Sequence, residues 1–347
     1  MSLLLTRMND LRVKKANLDK YEYRASRYGA FSLFQKQTEE AGSIITKEMA
    51  DQFWGSVGRE FNTKVIDYDK NVSIRVGQPR RLEIPDSENT SRFVTITPVA
   101  LDFGFTMVPS MYLNNEVGYQ EDFEKKMTKY INAMAVELDN MCITKLTTER
   151  TKVLGNALRY NFADGVLSAT NAQKDHVLGS LESLMNSNDY YDTLDVLGDI
   201  GLQDMINQLR QYGTYNEQNK QLEYAGKNLY FSNRVMTGNE NLLKGFAVNS
   251  GSVGLMWRVD RESLVRRTTD LSYKWDVTTL PMLNIPIGTM EYQSVGNNSG
   301  MAGTATADMT ASFKQHYGFA VDVAIVASYN SLGEAGATPI LEFEVKA

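Results

Sequence analysis

The sequence predicts an α+β protein, because its helical and strand-like patterns come in blocks instead of alternating. Three observations carry this prediction. Apolar residues recur at helical spacing along a segment that begins at Glu116, period-two alternation precedes that segment, and strand patterns dominate the chain after residue 245. With 347 residues, of which 42% are hydrophobic and 22% charged, the chain can bury cores for roughly two domains.

The first sixty residues are polar and only partly periodic. We predict short helices at 3–16 and 46–56, the second with Thr46 as its N-cap. Residues 21–43, which lie between them, are rich in aromatic side chains but have no clean period. We therefore expect this part of the chain to be an arm that packs on another surface.

The hydrophobic period changes to two from Val65 onwards. Val72, Ile74 and Val76 alternate with polar residues, and after a turn the alternation continues to Ile84. Beyond a polar loop, strand patterns follow at 93–97 and 101–107. We predict an extended two-stranded hairpin arm over 71–108. Isolated two-stranded hairpins are only marginally stable in water, so we expect this arm to lie on a second copy of the chain.

Four arginines lie around the predicted hairpin. One interpretation is that their charges keep exposed strand edges from pairing at random. The other, compatible with the first, is that they dock on an acidic patch of a neighbouring subunit, since the chain carries a net charge of −6. The predicted subunit-interface residues are these arginines and two phenylalanines of the following strand: Arg75, Arg80, Arg81, Arg92, Phe103 and Phe105.

The N-terminal region is basic. Residues 1–36 hold eight Lys or Arg against three Asp or Glu, a local charge of +5 that leaves −11 for the remainder. Such a segment on an acidic body can contact nucleic acid or an acidic neighbouring subunit, and the simpler alternative is a solvated helix face. The residues predicted to form an inner basic arm are Arg7, Arg12, Lys14 and Lys15.

The segment from Glu116 to Thr148 predicts one long amphipathic helix of roughly 30 residues, which would act as a structural spine. Acidic residues at its start and Lys145 near its end match the helix dipole, although no cap stands out in the sequence. Its apolar face consists of Phe123, Met127, Tyr130, Ile131, Met134, Leu138 and Met141.

The second half of the chain begins with an α/β pattern. We predict a helix at 171–187, a strand at 194–197 and a helix at 202–212. Most of the remaining chain is predicted to be β-structure, with an exposed loop at 296–300. The predicted strands are 229–236, 245–249, 252–257, 270–279, 286–295, 303–313, 317–327 and 340–346.

The sequence contains no catalytic constellation. Cys142 is the only cysteine and His176 and His316 are the only histidines, which excludes a disulfide framework and a Cys- or His-based metal centre. We interpret Cys142 as a core residue, His176 as exposed and His316 as hydrogen-bonded at a strand boundary. Residues 250–254 lack the lysine of a phosphate-binding loop and predict a strand-entry turn. We predict no enzyme activity, catalytic residue, cofactor or metal.

A membrane location is not expected either. The most apolar run, 319–327, contains Asp322 and is much shorter than the ~20 residues that span a bilayer. The opening residues 3–5 are too short for the core of a signal peptide. We therefore expect the chain to fold in the cytoplasm without a membrane partner.

The order of these parts resembles the major capsid proteins of tailed bacteriophages, which have the Hong Kong 97-type coat fold. Local similarities are AVELDNMCITKL at the end of the predicted spine helix, DVLGDIGLQDMINQLRQYG ahead of LYFSNRV and GFAVNSGSVG, and the late HYGFAVDVAIVASYN. The resemblance covers nearly the whole chain. It implies an N-terminal arm at 1–62, an extended hairpin loop at 63–108, a peripheral domain with the spine helix at 109–160, an axial domain at 161–300, and a return to the peripheral domain with C-terminal strands at 301–347.

The resemblance also implies a function. Copies would self-assemble through pentamers and hexamers into the icosahedral shell of a tailed double-stranded DNA phage. The protein would be made in the host cytoplasm and located in the virion capsid. Each hairpin would lie across the next subunit, and the packaged DNA would be contacted without sequence specificity. The alternative is an encapsulin-like compartment of the same fold that holds an enzyme cargo.

The expected partners follow from departures within this resemblance. Some relatives cross-link neighbouring subunits through a lysine on the hairpin, but residues 71–108 contain no lysine, so non-covalent cohesion is expected. No long, highly charged helical segment precedes the arm, which favours a separate scaffolding protein. A portal protein and a decoration protein complete the expected partners besides the chain itself.

Overall fold

The computed structural model describes residues 3–14, 28–58, 60–67, 90–112, 115–191, 193–208, 213–216, 221–224, 227–235, 241–260, 273–296, 312–328 and 336–346. The helices in these ranges are α1 (Leu3–Lys14), α2 (Gly29–Glu39), α3 (Lys47–Gly55), α4 (Glu116–Thr148), α5 (Lys174–Asn186) and α6 (Ile200–Gln208). Short 3-10 turns occupy Pro109–Tyr112 and Asn171–Gln173.

The strands in the same ranges are β1 (Phe61–Asp67), β2 (Thr90–Ile96), β3 (Val99–Met107), β4 (Asn161–Ala163), β5 (Val166–Thr170), β6 (Leu194–Gly198), β7 (Gly213–Asn216), β8 (Gln221–Tyr224), β9 (Lys227–Phe231), β10 (Asn241–Asn249), β11 (Val253–Arg258), β12 (Tyr273–Leu280), β13 (Ile285–Gly296), β14 (Ser312–Ala327) and β15 (Ile340–Lys346). They form a two-stranded ribbon, a five-stranded sheet and an eight-stranded sheet. Helices and strands do not alternate regularly, which confirms the α+β prediction.

The predicted spine helix is confirmed with the expected bounds, Glu116 to Thr148. Its N-cap, which was not predicted, is Asn115, whose Oδ1 accepts a hydrogen bond from the Gly118 backbone N–H at 3.0 Å. At α3 the predicted cap is confirmed, since the Thr46 hydroxyl accepts from the Met49 N–H at 3.2 Å. Side-chain oxygens at both positions supply acceptors that the first turn of a helix otherwise lacks.

Strand β14 is the centre of the five-stranded sheet. It pairs antiparallel with β13 over 312–320, with β3 over 315–323 and with β11 over 322–327, and β12 pairs with the far side of β13. The inner face of this sheet packs against α4, whose residues Phe123, Met127, Ile131 and Leu138 are fully buried. Burial of one such side chain stabilises the fold by about 1.5–3 kcal/mol, so this contact forms the main core.

The eight-stranded sheet has the order β4-β5-β15-β10-β6-β9-β8-β7. Strand β15 lies inside this sheet, parallel to β5 and antiparallel to β10. Helices α5 and α6 cover it with apolar side chains, among them Leu181, Leu184 and Leu202, which are fully buried. This sheet therefore has a core separate from the one beneath α4.

Helix α2 corrects the interpretation of 21–43 as an arm draped over another surface. Its residues Phe31, Leu33 and Phe34 are fully buried within their own chain, where the helix contacts α4, β6, β9 and β11. The helix begins close to β9, because a Cβ added at Gly29 would lie 2.3 Å from the Phe231 carbonyl oxygen. Only glycine fits such a close backbone approach.

The extended hairpin also differs from the prediction. The ribbon consists of β1 and β2, which pair from Phe61 with Ile96 to Asp67 with Thr90. The predicted first strand, at 72–84, lies outside the described residues. Of the predicted second strand, the part that begins at Phe93 is on β2 of the ribbon, whereas 101–107 belongs to β3 of the five-stranded sheet. Its pairing partner β14 lies more than 200 residues later in the chain, which is why local sequence reasoning left it without one.

Each of the two larger sheets combines strands from before and after residue 300. Strands β11, β12 and β13, all before this residue, lie in one sheet with β14, whereas β15 lies in the eight-stranded sheet with β10. The predicted strand at 303–313 and the loop at 296–300 lie mostly outside the described residues. The domain limits themselves stay a prediction.

Replacement of Phe343 by alanine should lower the free energy of unfolding by about 3–5 kcal/mol, because it leaves a cavity in the middle of the eight-stranded sheet. Phe343 is fully buried on β15, and its ring lies against Gly245 of β10. Denaturant unfolding followed by circular dichroism measures the change. Lys346→Ala, on the same strand but exposed, is the matched control and should change the value by less than about 0.5 kcal/mol. Equal effects of the two substitutions would contradict the placement of β15.

Candidate subunit-contact surfaces

The described side chains that attach the β1–β2 ribbon to the body lie at one of its ends. At that end Phe61 and Ile96 are register partners, and both are buried against α3 residues such as Phe53, whose ring centroid lies 5.4 Å from that of Phe61. Farther along, on the opposite face of the ribbon, Phe93 is 75% exposed. Strand β1 ends at Asp67 and β2 begins at Thr90, and the 22 residues between them lie outside the described residues.

The predicted interface arginines belong to this region. Arg75, Arg80 and Arg81 fall between β1 and β2 and lie outside the described residues. Arg92 is on β2, where its backbone register partner is Val65. Their predicted role at subunit contacts stays a prediction.

The two predicted interface phenylalanines pack within their own chain. Phe105 is buried, with ring centroids of Phe123 and Tyr317 at 5.5 and 5.4 Å. Phe103 is partly buried and stacks on Phe319 at 4.7 Å and on Tyr130 at 5.3 Å. These contacts join β3, β14 and α4, so the role of Phe105 is corrected from a subunit contact to a core contact.

The proposed inner basic arm is corrected at Arg7. This residue is on α1 and is only 8% exposed, with its guanidinium carbon 4.1 Å from the centroid of the Tyr119 ring. A cation stacked on a ring and buried in the protein cannot neutralise phosphates. Arg12 and Lys14 belong to α1, but their side chains are not among those described, and Lys15 lies outside the described residues.

The face of α1 that carries Arg7 is part of the core. Leu4, Met8 and Leu11 follow one another at helical spacing and are each at most 2% exposed. Near them the Tyr119 hydroxyl donates to Gln315 Oε1 at 2.9 Å, and Gln315 donates to Glu291 Oε1 at 2.6 Å. Helix α1 therefore covers a buried polar network as well as apolar side chains.

A groove of about 610 Å³ lies on the outer face of the five-stranded sheet, and sequence reasoning missed it. Its floor is low because small residues meet across the strands: Gly104 pairs with Gly318, and Ala320 pairs with Gly288. The carboxylates and the imidazole along the groove belong to Asp102, Asp260, Asp322 and His316. Glycine inside a strand often marks close approach of another backbone, and that signal was visible in the sequence.

His316 lies on one side of this groove. Its Nδ1 is 2.8 Å from the Thr106 hydroxyl, its Nε2 is 2.7 Å from the Ser294 hydroxyl, and its ring stacks on Tyr292 at 4.4 Å. Burial lowers its pKa, and the charge of Lys314 lowers it further. The predicted hydrogen-bonded histidine is confirmed, although it lies inside β14 and not ahead of it.

The remaining predicted positions agree with their interpretations. Cys142 is fully buried in α4, where burial raises the pKa of its thiol well above the usual value, and His176 is exposed on α5. Gly251 has a φ of +72° in the turn before β11, as expected of a strand-entry turn.

In the described ranges no three His, Cys, Asp or Glu side chains are grouped to hold a metal ion. None of the described helices is long and apolar enough to cross a membrane.

The outer edge of the five-stranded sheet at β12 is chemically protected. Asp276 accepts a hydrogen bond from the backbone N–H of Val277 through its own side chain, at 2.8 Å. Lys274 adds a second exposed charge on the same strand. Both features discourage the addition of a foreign strand, so this edge is a poorer candidate for a subunit contact than the ribbon or the groove.

Comparison with solved structures identifies the fold. The chain superposes on the cyanophage A-1(L) capsid asymmetric unit with a TM-score of 0.51 at 8% identity, covering 96% of this chain and 97% of that one. Mycobacterium phage Adephagia (TM-score 0.48, 12% identity, 97% and 98% covered) and the cyanophage Pam1 capsid asymmetric unit (0.47, 8%, 95% and 95%) are further matches. No protein-family model and no curated protein sequence matches the chain.

The α+β architecture is thus that of phage capsid subunits, the Hong Kong 97-type coat fold. The predicted fold class is confirmed. At 8% identity the likeness establishes the fold alone. The role of the protein must be argued from the residues on its own surface.

Substitution of Leu11 by alanine should cost about 2–5 kcal/mol of unfolding free energy, because the side chain is fully buried beneath α1. Urea unfolding of the purified monomer measures this, and Asn9→Ala on the exposed face of the same helix is the control. If α1 were instead a free nucleic-acid-binding arm, Leu11→Ala would leave the midpoint of urea unfolding unchanged.

Proposed function

We propose that this chain is a structural subunit that self-assembles into the icosahedral shell of a tailed double-stranded DNA bacteriophage and encloses the packaged genome. The match of its fold to the cyanophage A-1(L) capsid structure, over 96% of the chain, carries this proposal. Shell subunits must bind copies of themselves at several places at once. The ribbon and the groove are two candidate contact surfaces, and both lie on the surface of a single copy of the chain.

The exposed side chain of Phe93 supports a contact made by the ribbon. A phenylalanine that is 75% exposed on a narrow two-stranded element leaves a large apolar area in water. The same ribbon docks on its own body through the other face, at Phe61 and Ile96. Contact of the Phe93 face with a neighbouring subunit would bury the ribbon on both sides, which a marginally stable two-stranded element requires.

Charge supports the pairing of the 75–81 segment with the groove of the next subunit. The segment contains Arg75, Arg80 and Arg81 and no acidic residue, whereas the groove presents Asp102 on an exposed position of β3. Asp322 in the same groove is already bound by Arg258 at 2.7 Å, so Asp102 is the better candidate partner. Complementary charges of this kind fix the register and orientation of a contact.

The proposed shell has further components besides this chain. Subunits would form pentamers and hexamers in the virion capsid with the help of a separate scaffolding protein, and a portal protein and a decoration protein would be further partners. The packaged DNA would be held without sequence specificity. No enzyme activity is part of this role.

Replacement of Phe93 by serine should prevent particle formation while leaving the monomer folded, because the residue lies on the exposed face of the ribbon. Negative-stain electron microscopy of the overexpressed protein, together with circular dichroism of the unassembled fraction, measures both. Leu158→Ser, at a position that is 53% exposed but lies apart from the ribbon, is the control and should still yield particles. Particles formed equally by both variants would contradict the ribbon contact.

The contents of the wild-type particles separate the proposal from an encapsulin-like compartment. A shell from phage-infected cells should protect double-stranded DNA from nuclease. A compartment would instead contain a co-purifying enzyme and no protected DNA, and that outcome would contradict the proposed function.

Reversal of charge at Arg80 and Arg81 to glutamate should reduce the yield of particles at least tenfold at low salt without changing the monomer. Adding Asp102→Arg on the same chain should restore much of the yield, because each groove then presents a cation to the reversed segment. Asp175→Arg, an exposed position on α5, is the control for the added charge and should not restore it. If Asp102→Arg and Asp175→Arg both restored the yield, or if neither did, the pairing with Asp102 would be ruled out.

A further inference from the structure

One buried side chain forms hydrogen bonds to both larger sheets. Gln37 of α2 is fully buried and uses both ends of its amide. Its Nε2 donates to Asp195 Oδ2 of β6 at 2.9 Å, and its Oε1 accepts from the backbone N–H of Val253 in β11 at 3.2 Å. Strand β6 belongs to the eight-stranded sheet and β11 to the five-stranded sheet. A single amide therefore bridges the two.

The carboxyl group of Asp195 is arranged to accept hydrogen bonds only. It is 2% exposed, and while Oδ2 accepts from Gln37, Oδ1 accepts from Asn228 Nδ2 of β9 at 2.8 Å. A proton on either oxygen would point at a group that already donates. The Gln37 amide cannot simply turn over, because its oxygen is held by the Val253 N–H. Protonation of Asp195 therefore removes one of these two hydrogen bonds.

The charged groups around Asp195 act in opposite directions. Burial raises its pKa, and the carboxylate of Glu40, the residue that follows α2, raises it further, whereas Gln37, Asn228 and the ammonium group of Lys36 on α2 lower it. On β10 the register partner is the uncharged Val248. Burial dominates, so the carboxyl group takes up a proton at a higher pH than an ordinary aspartate.

We propose that the Gln37–Asp195 pair is a proton-operated link, which holds α2 and the two sheets together when Asp195 is ionised and loosens when it is protonated. The pair is separate from the surfaces assigned to subunit contacts, so the proposal does not depend on the shell function. It gives the junction of the sheets a dependence on pH that needs no unfolding.

Protonation of Asp195 affects global stability and the Gln37 contact in opposite directions. Burial raises the pKa of Asp195 relative to the unfolded chain, so protonation favours the folded state, whereas the hydrogen bond from Gln37 lowers this pKa, so protonation weakens that one contact. A carboxyl group whose folded pKa is raised contributes stability that is present below its ordinary pKa of about 4 and is lost as the pH rises through the folded value. Acid therefore does not unfold the protein through Asp195. It removes a hydrogen bond at the junction while the fold as a whole is retained, which is how a local switch differs from acid denaturation.

Hydrogen exchange with mass spectrometry on the full chain tests the link. Between pH 7.5 and pH 4.5, after correction for intrinsic exchange rates, protection of amides in α2 and β11 should fall about three- to tenfold, as expected for the loss of one buried hydrogen bond. Helix α5, which packs on the opposite face of the eight-stranded sheet from α2, is the internal reference and should show no such change. Equal changes in α2 and α5, or none in either, would overturn the proposal.

Two substitutions sharpen the test. Asp195→Asn places an N–H₂ group against one of the two donors and so imitates the protonated state, whereas Gln37→Met removes the bridge. Both should show the low protection of α2 already at pH 7.5 and no further fall at pH 4.5. Asp175→Asn, at an exposed carboxylate on α5, should keep the wild-type response. If Asp195→Asn retained the full pH response, protonation elsewhere would be responsible and the proposal would be wrong.

Discussion

The pairing of β14 is the constraint on which the rest of the structure depends. Its 16 residues bind β13, β11 and β3 and provide Tyr317 and Phe319 to the core beneath α4. A strand in this position must be apolar on the inner face and small on the outer one. Gly318 and Ala320 meet the second requirement, and the groove on the outer face is a direct result. One strand therefore determines both the packing of the spine helix and the shape of the surface proposed to receive a neighbour.

Sequence reasoning succeeded where the signal is local and failed where the partner is distant. The apolar face of α4 repeats from Phe123 to Met141, so one long helix that begins near Glu116 could be predicted. Strand β3 has an equally clear alternation, but nothing in residues 99–107 shows that it binds residues 315–323 rather than its predecessor. Helix α2 was missed for a related reason. The elements that bury it, α4, β6, β9 and β11, all lie far along the chain, and its aromatic residues suggested an arm.

The candidate site was predictable only in part. The ribbon was expected from the alternation after Val65, and its exposed Phe93 follows from the register of β1 and β2. The basic character of α1 was misleading, because a charge count cannot show that the Arg7 guanidinium lies on the Tyr119 ring in the core. The groove required pairing across three strands, since Gly104 and Gly318 are far apart in sequence and meet only through the register. Composition shows which charges exist, and the fold decides which of them reach the surface.

The position of β15 has a consequence for synthesis on the ribosome. Strands β5 and β10 are translated long before the strand that joins them, and the gap between them stays open until residue 346 has emerged. During that interval the unpaired edges of β5 and β10 and apolar side chains of α5 are exposed to the cell. Such exposure favours aggregation of nascent chains. A chaperone that shields such edges would then raise the yield of folded protein from each round of translation.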